Sequence, residues 1–148
     1  MKLMNRIAAA AAITALACTS VTAFADDHSY TEGVVVNVAR IRTVDGKFDD
    51  YMKWLDTSWK QQQEAAKKAG YLLSYEVITV EPRTSDDPDV LLVTRYKNWA
   101  ALDGATEKAD AVTKAIGSTV AESNKLQVER ASIRRILGSS TMQVLDLK

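Results

Sequence analysis

Residues 34–42 read Val34-Val35-Val36-Asn37-Val38-Ala39-Arg40-Ile41-Arg42. β-Branched residues dominate this run, and they suit the pleated surface of a strand. Side chains alternate along a strand, so Val34, Val36 and Val38 point one way and Val35, Ala39 and Ile41 the other. Both faces are apolar. The same holds later in the chain, where Leu92 opposes Leu91 and Val93, and Met142 and Val144 oppose Leu145 and Leu147. A sheet built from such strands needs cover on both sides.

Asp45-Gly46 turns the chain, and the period then changes. Phe48, Met52, Leu55, Trp59 and Ala66 recur at helical spacing, with Tyr51 on the flank and Lys60, Gln61, Glu64, Lys67 and Lys68 on the wet side. Gly70 stands where a helix C-terminus favours a residue that tolerates positive φ. Tyr71 to Glu81 alternates as a second strand, residues 82–89 (PRTSDDPD) break both periods, and Val90 to Lys97 forms a third strand. A loop this short predicts an antiparallel hairpin. Asn98 can cap a helix, and Leu102, Ala105, Ala109, Val112 and Ile116 follow at helical spacing. Gly117-Ser118 interrupts. A further helix is expected over roughly Thr119 to Leu137, ended by Gly138-Ser139-Ser140, with Thr141 to Leu147 as a fourth strand. The order is β-α-β-β-α-β with a lengthened or split second helical region. It predicts an α+β, ferredoxin-like antiparallel sheet with both helices on one face. A second copy of the sheet is the natural cover for the other face, giving a homodimer.

The N-terminus has three parts. Lys2 and Arg6 are basic, Ile7 to Ala17 is uncharged and apolar, and Ala23-Phe24-Ala25 is a small-x-small cleavage site. That is the layout of a secretory signal peptide over residues 1–25. It predicts export to the periplasm or the medium of a bacterium. A retained span would draw little gain from so many Ala and Thr residues. Lipid attachment at Cys18 is a minor alternative, because Leu16 sits one place from where that motif wants it. Cleavage removes the one cysteine in the chain. Residues 26–33 are polar and read as a flexible leader, and residues 34–148 as a single domain held by its core rather than by disulfides. The signal carries two of the 19 basic residues and none of the 19 acidic ones. The slightly acidic remainder speaks against nucleic-acid or anionic-membrane partners.

The sequence of elements, with Gly70-Tyr71 after the long helix and Tyr96-Lys97-Asn98-Trp99 leading into the second helical region, resembles the dimeric α+β barrel superfamily over roughly residues 34–148. Members include antibiotic-biosynthesis monooxygenase-like proteins, haem-degrading monooxygenases and many small exported proteins. The resemblance implies a barrel made by two sheets. Its haem-degrading members use a histidine inside the domain, whereas His28, the one histidine here, precedes the first strand. A catalytic triad or an imidazole zinc site meets the same obstacle. Cofactor-free oxygenases of the superfamily use Asn and Trp residues, and this chain has Asn37, Trp54, Trp59 and Trp99. Trp59 falls on the core face of its helix. Trp54 falls off it and is a candidate for a pocket edge or partner surface.

By strand parity, Asn37, Glu76 and Arg95 are expected on one face with Val35, Ala39 and Ile41, lining the barrel if the strands pair as in the resembled fold. There they could grip a small polar group. A buried Glu76–Arg95 pair with Asn37 filling a leftover hydrogen bond explains the same residues without a ligand. Asp86, Asp87 and Asp89 lack the glycine and distal glutamate of an EF-hand and read as a solvated hairpin tip. No phosphate loop or nucleophile elbow is present. The expectation is an exported small-molecule-binding or accessory protein that needs no cofactor. A cofactor-independent monooxygenase or isomerase is the alternative.

Cleavage after Ala25 would place Asp26-Asp27-His28 first. The free amine, two amide nitrogens and the imidazole then form a square-planar nitrogen set that suits Cu(II) or Ni(II). Adding Cu(II) to the processed protein is expected to produce a visible absorption band. The His28→Ala variant should lack it, and an unchanged spectrum would rule the site out.

Overall fold

The computed structural model describes residues 28–148. The expected signal segment 1–25, with Cys18, and the metal-site residues Asp26 and Asp27 lie outside them. Four strands, β1 (Tyr30–Thr43), β2 (Ser74–Thr79), β3 (Val90–Tyr96) and β4 (Arg134–Leu147), form one antiparallel sheet in the order β2-β3-β1-β4. One helical run lies between β1 and β2, and another between β3 and β4. This is the ferredoxin-like β-α-β-β-α-β layout expected from the sequence.

The first helical run consists of α1 (Phe48–Trp54), a π-helical turn (Leu55–Trp59) and α2 (Lys60–Lys68) in direct succession. Its buried line is Tyr51, Leu55 and Trp59, while Phe48 is 39% exposed. Tyr51 was expected on the flank and Phe48 in the core, so the stripe is rotated. In a regular α-helix, each four-residue step runs about 40° past a full turn. The wider π turn, in which Lys60 N–H donates to Leu55 O, takes up that drift. Thr57 Oγ1 donates to the carbonyl of Lys53 at 2.9 Å inside the same turn. Trp59 meets Tyr75 edge-on, with ring centroids 5.3 Å apart, and Tyr75 donates its hydroxyl to Glu64 at 2.5 Å. These contacts lock the run onto β2.

The sheet register assigns the faces. Ala39 pairs with Leu92 and Ile41 with Val90, and Leu92 in turn with Val77. All five pack with Tyr51, Leu55 and Trp59 in one apolar cluster. The helices therefore cover the face bearing Val35, Ala39 and Ile41. Those residues were expected to line a barrel. The face left open instead carries Val36, Val38, Leu91, Val93, Ile78 and Met142.

Several boundaries differ from expectation, among them those of β2, which spans Ser74–Thr79 rather than Tyr71 to Glu81. β1 begins at Tyr30, within the segment read as a flexible leader. Tyr30, Thr31 and Glu32 pair with Leu147, Asp146 and Leu145, so β4 supplies the partner that the local sequence could not reveal. The second helical run, expected to be lengthened or split, is split as a 3-10 turn (Trp99–Leu102), α3 (Ala105–Ala115), α4 (Val120–Glu129) and a 3-10 turn (Arg130–Ser132). Asn98 caps the first turn through Ala101 N–H at 3.1 Å. The helix expected to reach Leu137 stops early, because Arg134, Arg135 and Ile136 pair with Thr43, Arg42 and Ile41. Strand pairing here overrides helix propensity. Gly138-Ser139-Ser140 is thus part of a strand rather than a helix stop. Gly138 (φ 140°) sits at a bulge opposite Arg40, where a Cβ would come within 3.3 Å of the Arg40 guanidinium.

Gly70 behaves as expected. Its N–H donates to Lys67 O, Tyr71 N–H donates to Ala66 O, and its φ is 75°. This pairing closes the helix with a left-handed residue. The space around Gly70 is open, so a side chain there meets only backbone strain. Gly70→Ala is expected to lower stability by about 1 kcal/mol, read as a lower urea midpoint at unchanged slope.

Candidate functional site

α3 and α4 contain no fully buried residue. α3 packs on α2 rather than pressing onto the sheet. A cleft of about 340 Å³ opens between them. Its walls include Leu102, Ala105, Ala109 and Val112, the stripe that helical spacing had marked as core, and Ala66 of α2 stands across from them. Tyr71, Leu72 and Tyr96 also line it. The apolar positions were legible in the sequence. What they face was not, because spacing reports the direction of a stripe and not the distance to the next layer.

The polar groups of the cleft are few. Gln62, Gln63 and Gln127 supply amides, and Lys108 and Arg130 supply the charges. Lys108 Nζ donates to the Ala101 carbonyl at 2.8 Å and stands 5.8 Å from the centre of the Tyr71 ring. Arg130 also lines an adjoining pocket of about 170 Å³ with Trp54, Ser58, Leu126, Glu129 and Ile133.

Trp54, a candidate for a pocket edge or a partner surface, lines this pocket. Its ring stacks on Tyr51, with centroids 5.7 Å apart and planes 16° from parallel. The Arg130 guanidinium lies 4.4 Å from the Trp54 ring centre, and that of Arg134 lies 6.0 Å from Trp54 and 5.9 Å from Tyr51. Burial lowers the Arg130 pKa, and the neighbouring Arg134 charge lowers it further. Burial pushes the Tyr51 phenol up to about 12. Sequence reading missed Arg130 and Arg134 as partners of Trp54. They are far from it along the chain, and the segment holding them was read as one helix.

Asn37, Glu76 and Arg95 do not form one cluster. Asn37 pairs with Thr94, on the helix-covered face, and donates to Thr141 Oγ1 at 2.8 Å. Glu76 pairs with Val93, and Arg95 with Val36, on the open face. Arg95 Nη1 bonds Glu76 Oε1 there at 2.7 Å. Both are partly exposed, so the pair is neither buried nor joined to Asn37. The expected grouping fails because cross-strand partners share a face, and parity counted within separate strands cannot align them.

In the hairpin, Asp87 accepts from Arg83 N–H and Thr84 N–H at 3.0 and 2.9 Å. Asp89 accepts from the Thr43 amide at 3.0 Å and from its hydroxyl. These acids shape the loop and tie it to β1. No group of three metal-ligating side chains occurs among the described residues. His28 stacks on Tyr30, with centroids 5.3 Å apart. Trp99 Nε1 donates to Gln143 Oε1 at 3.0 Å, stapling the start of the second helical run to β4.

The Tyr51 shift has a consequence for stability. Between its ordinary pKa of 10.0 and about 12, the native state keeps a proton that the unfolded chain releases. Stability therefore falls as pH rises through that window, by up to about 1.4 kcal/mol per pH unit. Urea unfolding across the window should show this fall, and Tyr51→Phe should lessen the slope.

No family model and no curated protein matches the chain. Among solved structures it is similar to HapK from Hahella chejuensis, at 10% identity over 73% of this chain and 90% of that one, with a TM-score of 0.47. It is also similar to a dimeric ferredoxin-like protein from an uncultured marine organism, at 14% identity over 77% of this chain and 96% of that one, with a TM-score of 0.46. The chain has the ferredoxin-like α+β fold, which its own strand order establishes.

Proposed function

We propose that this is an exported small-molecule-binding or accessory protein, working as a homodimer and holding a small, partly apolar molecule in the cleft between α2 and the second helical run. The cleft carries this reading. Its volume falls in the range of small-ligand sites, roughly 300–1,000 Å³. Its walls combine an apolar stripe with a few amides and two cations. The open face of the sheet supports the dimer, since Ile78 and Met142 are 41% and 46% exposed there beside Val36, Val38 and Leu91. A second sheet would cover that face and surround the Glu76–Arg95 pair.

The enzymatic alternative, a cofactor-independent monooxygenase or isomerase, had Asn37, Glu76 and Arg95 as its machinery. The sheet separates Asn37 from the other two within one protomer. No observation of this chain favours that alternative over binding.

Native mass spectrometry of protein purified from the exported fraction of its host tests the proposal. The expected species is a dimer of chains starting at Asp26, carrying an additional small mass. Ala109→Trp, placed on the cleft wall, should keep the dimer and lose that mass. A monomer would overturn the paired-sheet reading, and a mass retained in Ala109→Trp would move the ligand out of the cleft.

A further inference from the structure

Every charged side chain lining the cleft is a cation. Lys108 and Arg130 are present, and no Asp or Glu lines the cleft among the described residues. This stands out in a chain with as many acidic as basic residues. A second observation sharpens it. Arg130 Nε, Arg134 Nε and the Tyr51 hydroxyl are buried and have no hydrogen-bond partner among the described residues. Tyr51 itself is 0% exposed. Buried donors are nearly always satisfied by protein or ordered water, so three orphans around one indole mark a place that the fold leaves short of acceptors.

Of the nearby carboxylates, Glu129 lines the adjoining pocket with its side chain largely exposed, and no hydrogen bond joins it to Arg130. Glu129 faces Lys125 at 4.0 Å, and Asp89 is taken by Thr43. Stacking on Trp54 occupies the flat face of the Arg130 guanidinium. Its in-plane N–H groups form no hydrogen bond with the described residues, and a guanidinium edge is the geometry that grips an oxyanion with two parallel bonds. Two guanidiniums sharing one indole repel each other, and an anion between cleft and ring would relieve that repulsion.

Resting on the cleft reading above, we infer that the ligand is a small amphiphilic organic acid. Its apolar body lies along Leu102, Ala105 and Val112, and its carboxylate or other oxyanion is bound by Arg130, with Arg134 reinforcing the positive field behind Trp54.

Two fluorescent probes with the same apolar body separate this inference from the reading it rests on. 1-Anilinonaphthalene-8-sulfonate carries an anion, and N-phenyl-1-naphthylamine does not. The full processed protein is expected to bind both, with the sulfonate at least tenfold tighter, and added salt should shrink the difference. Arg130→Met should bring the sulfonate's advantage over the neutral probe down to parity, with the neutral probe still bound. Retained neutral binding shows that the cleft is intact. Arg130→Gln, which keeps a long polar stem, should give the same loss and serves if the Met variant does not fold. Equal binding of the two probes, or a preference that survives both substitutions, would overturn the inference and leave the cleft standing. Failure of both probes to bind the unmodified protein would overturn the cleft reading together with it, whereas failure of the sulfonate alone would overturn only the inference.

Discussion

The line Tyr51, Leu55 and Trp59 pressed against Ile41 and Val90 is the contact on which the rest of the molecule depends. A regular helix would carry those three side chains progressively off the sheet. The π turn at Leu55–Trp59 keeps them in register, so one helical run covers the central strands by itself. Because that run fills the space over β1 and β3, the second is displaced outward onto α2. The cleft is the space that this displacement leaves.

The same contact creates the cationic pocket. Burying Tyr51 brings Trp54 to the rim of the core, with one ring face available. The chain returning from α4 toward β4 passes that face, and the 3-10 turn at Arg130–Ser132 lays Arg130 across it. Arg134 follows at the first position of β4. Cation–π stacking offsets part of the cost of burying these charges, in the range of about 0.5–2 kcal/mol for such a contact. The buried Nε groups of Arg130 and Arg134 add no hydrogen bond with the described residues to offset the rest. Structure and proposed function meet at this point: the residues that close the fold also furnish the charge facing the cleft.

The open sheet face and the cleft are separate features on opposite sides of one layer. Dimerisation through the first would leave the second facing solvent in each protomer. The Glu76–Arg95 pair belongs to the first. Removing either partner would leave a lone charge among Val36, Val38 and Val93. The pair is partly exposed, so that cost is small and falls on this sheet face rather than on the cleft.

Local pattern alone determined the order of elements, the two-faced apolar strands, the Gly70 helix stop, the Asn98 cap and the apolar stripe of α3. Each depends on a residue's conformational preference or on spacing within a few turns, which the chain carries wherever it lies. Tertiary structure decided which sheet face the helices cover, where β4 begins, and that the α3 stripe lines a cleft. It also separated Asn37 from Glu76 and Arg95, and brought Arg130 and Arg134 to Trp54. These outcomes depend on register between distant strands and on the gap between layers. Both are set by how large side chains such as Tyr51 and Trp59 pack, and neither is written in any local period.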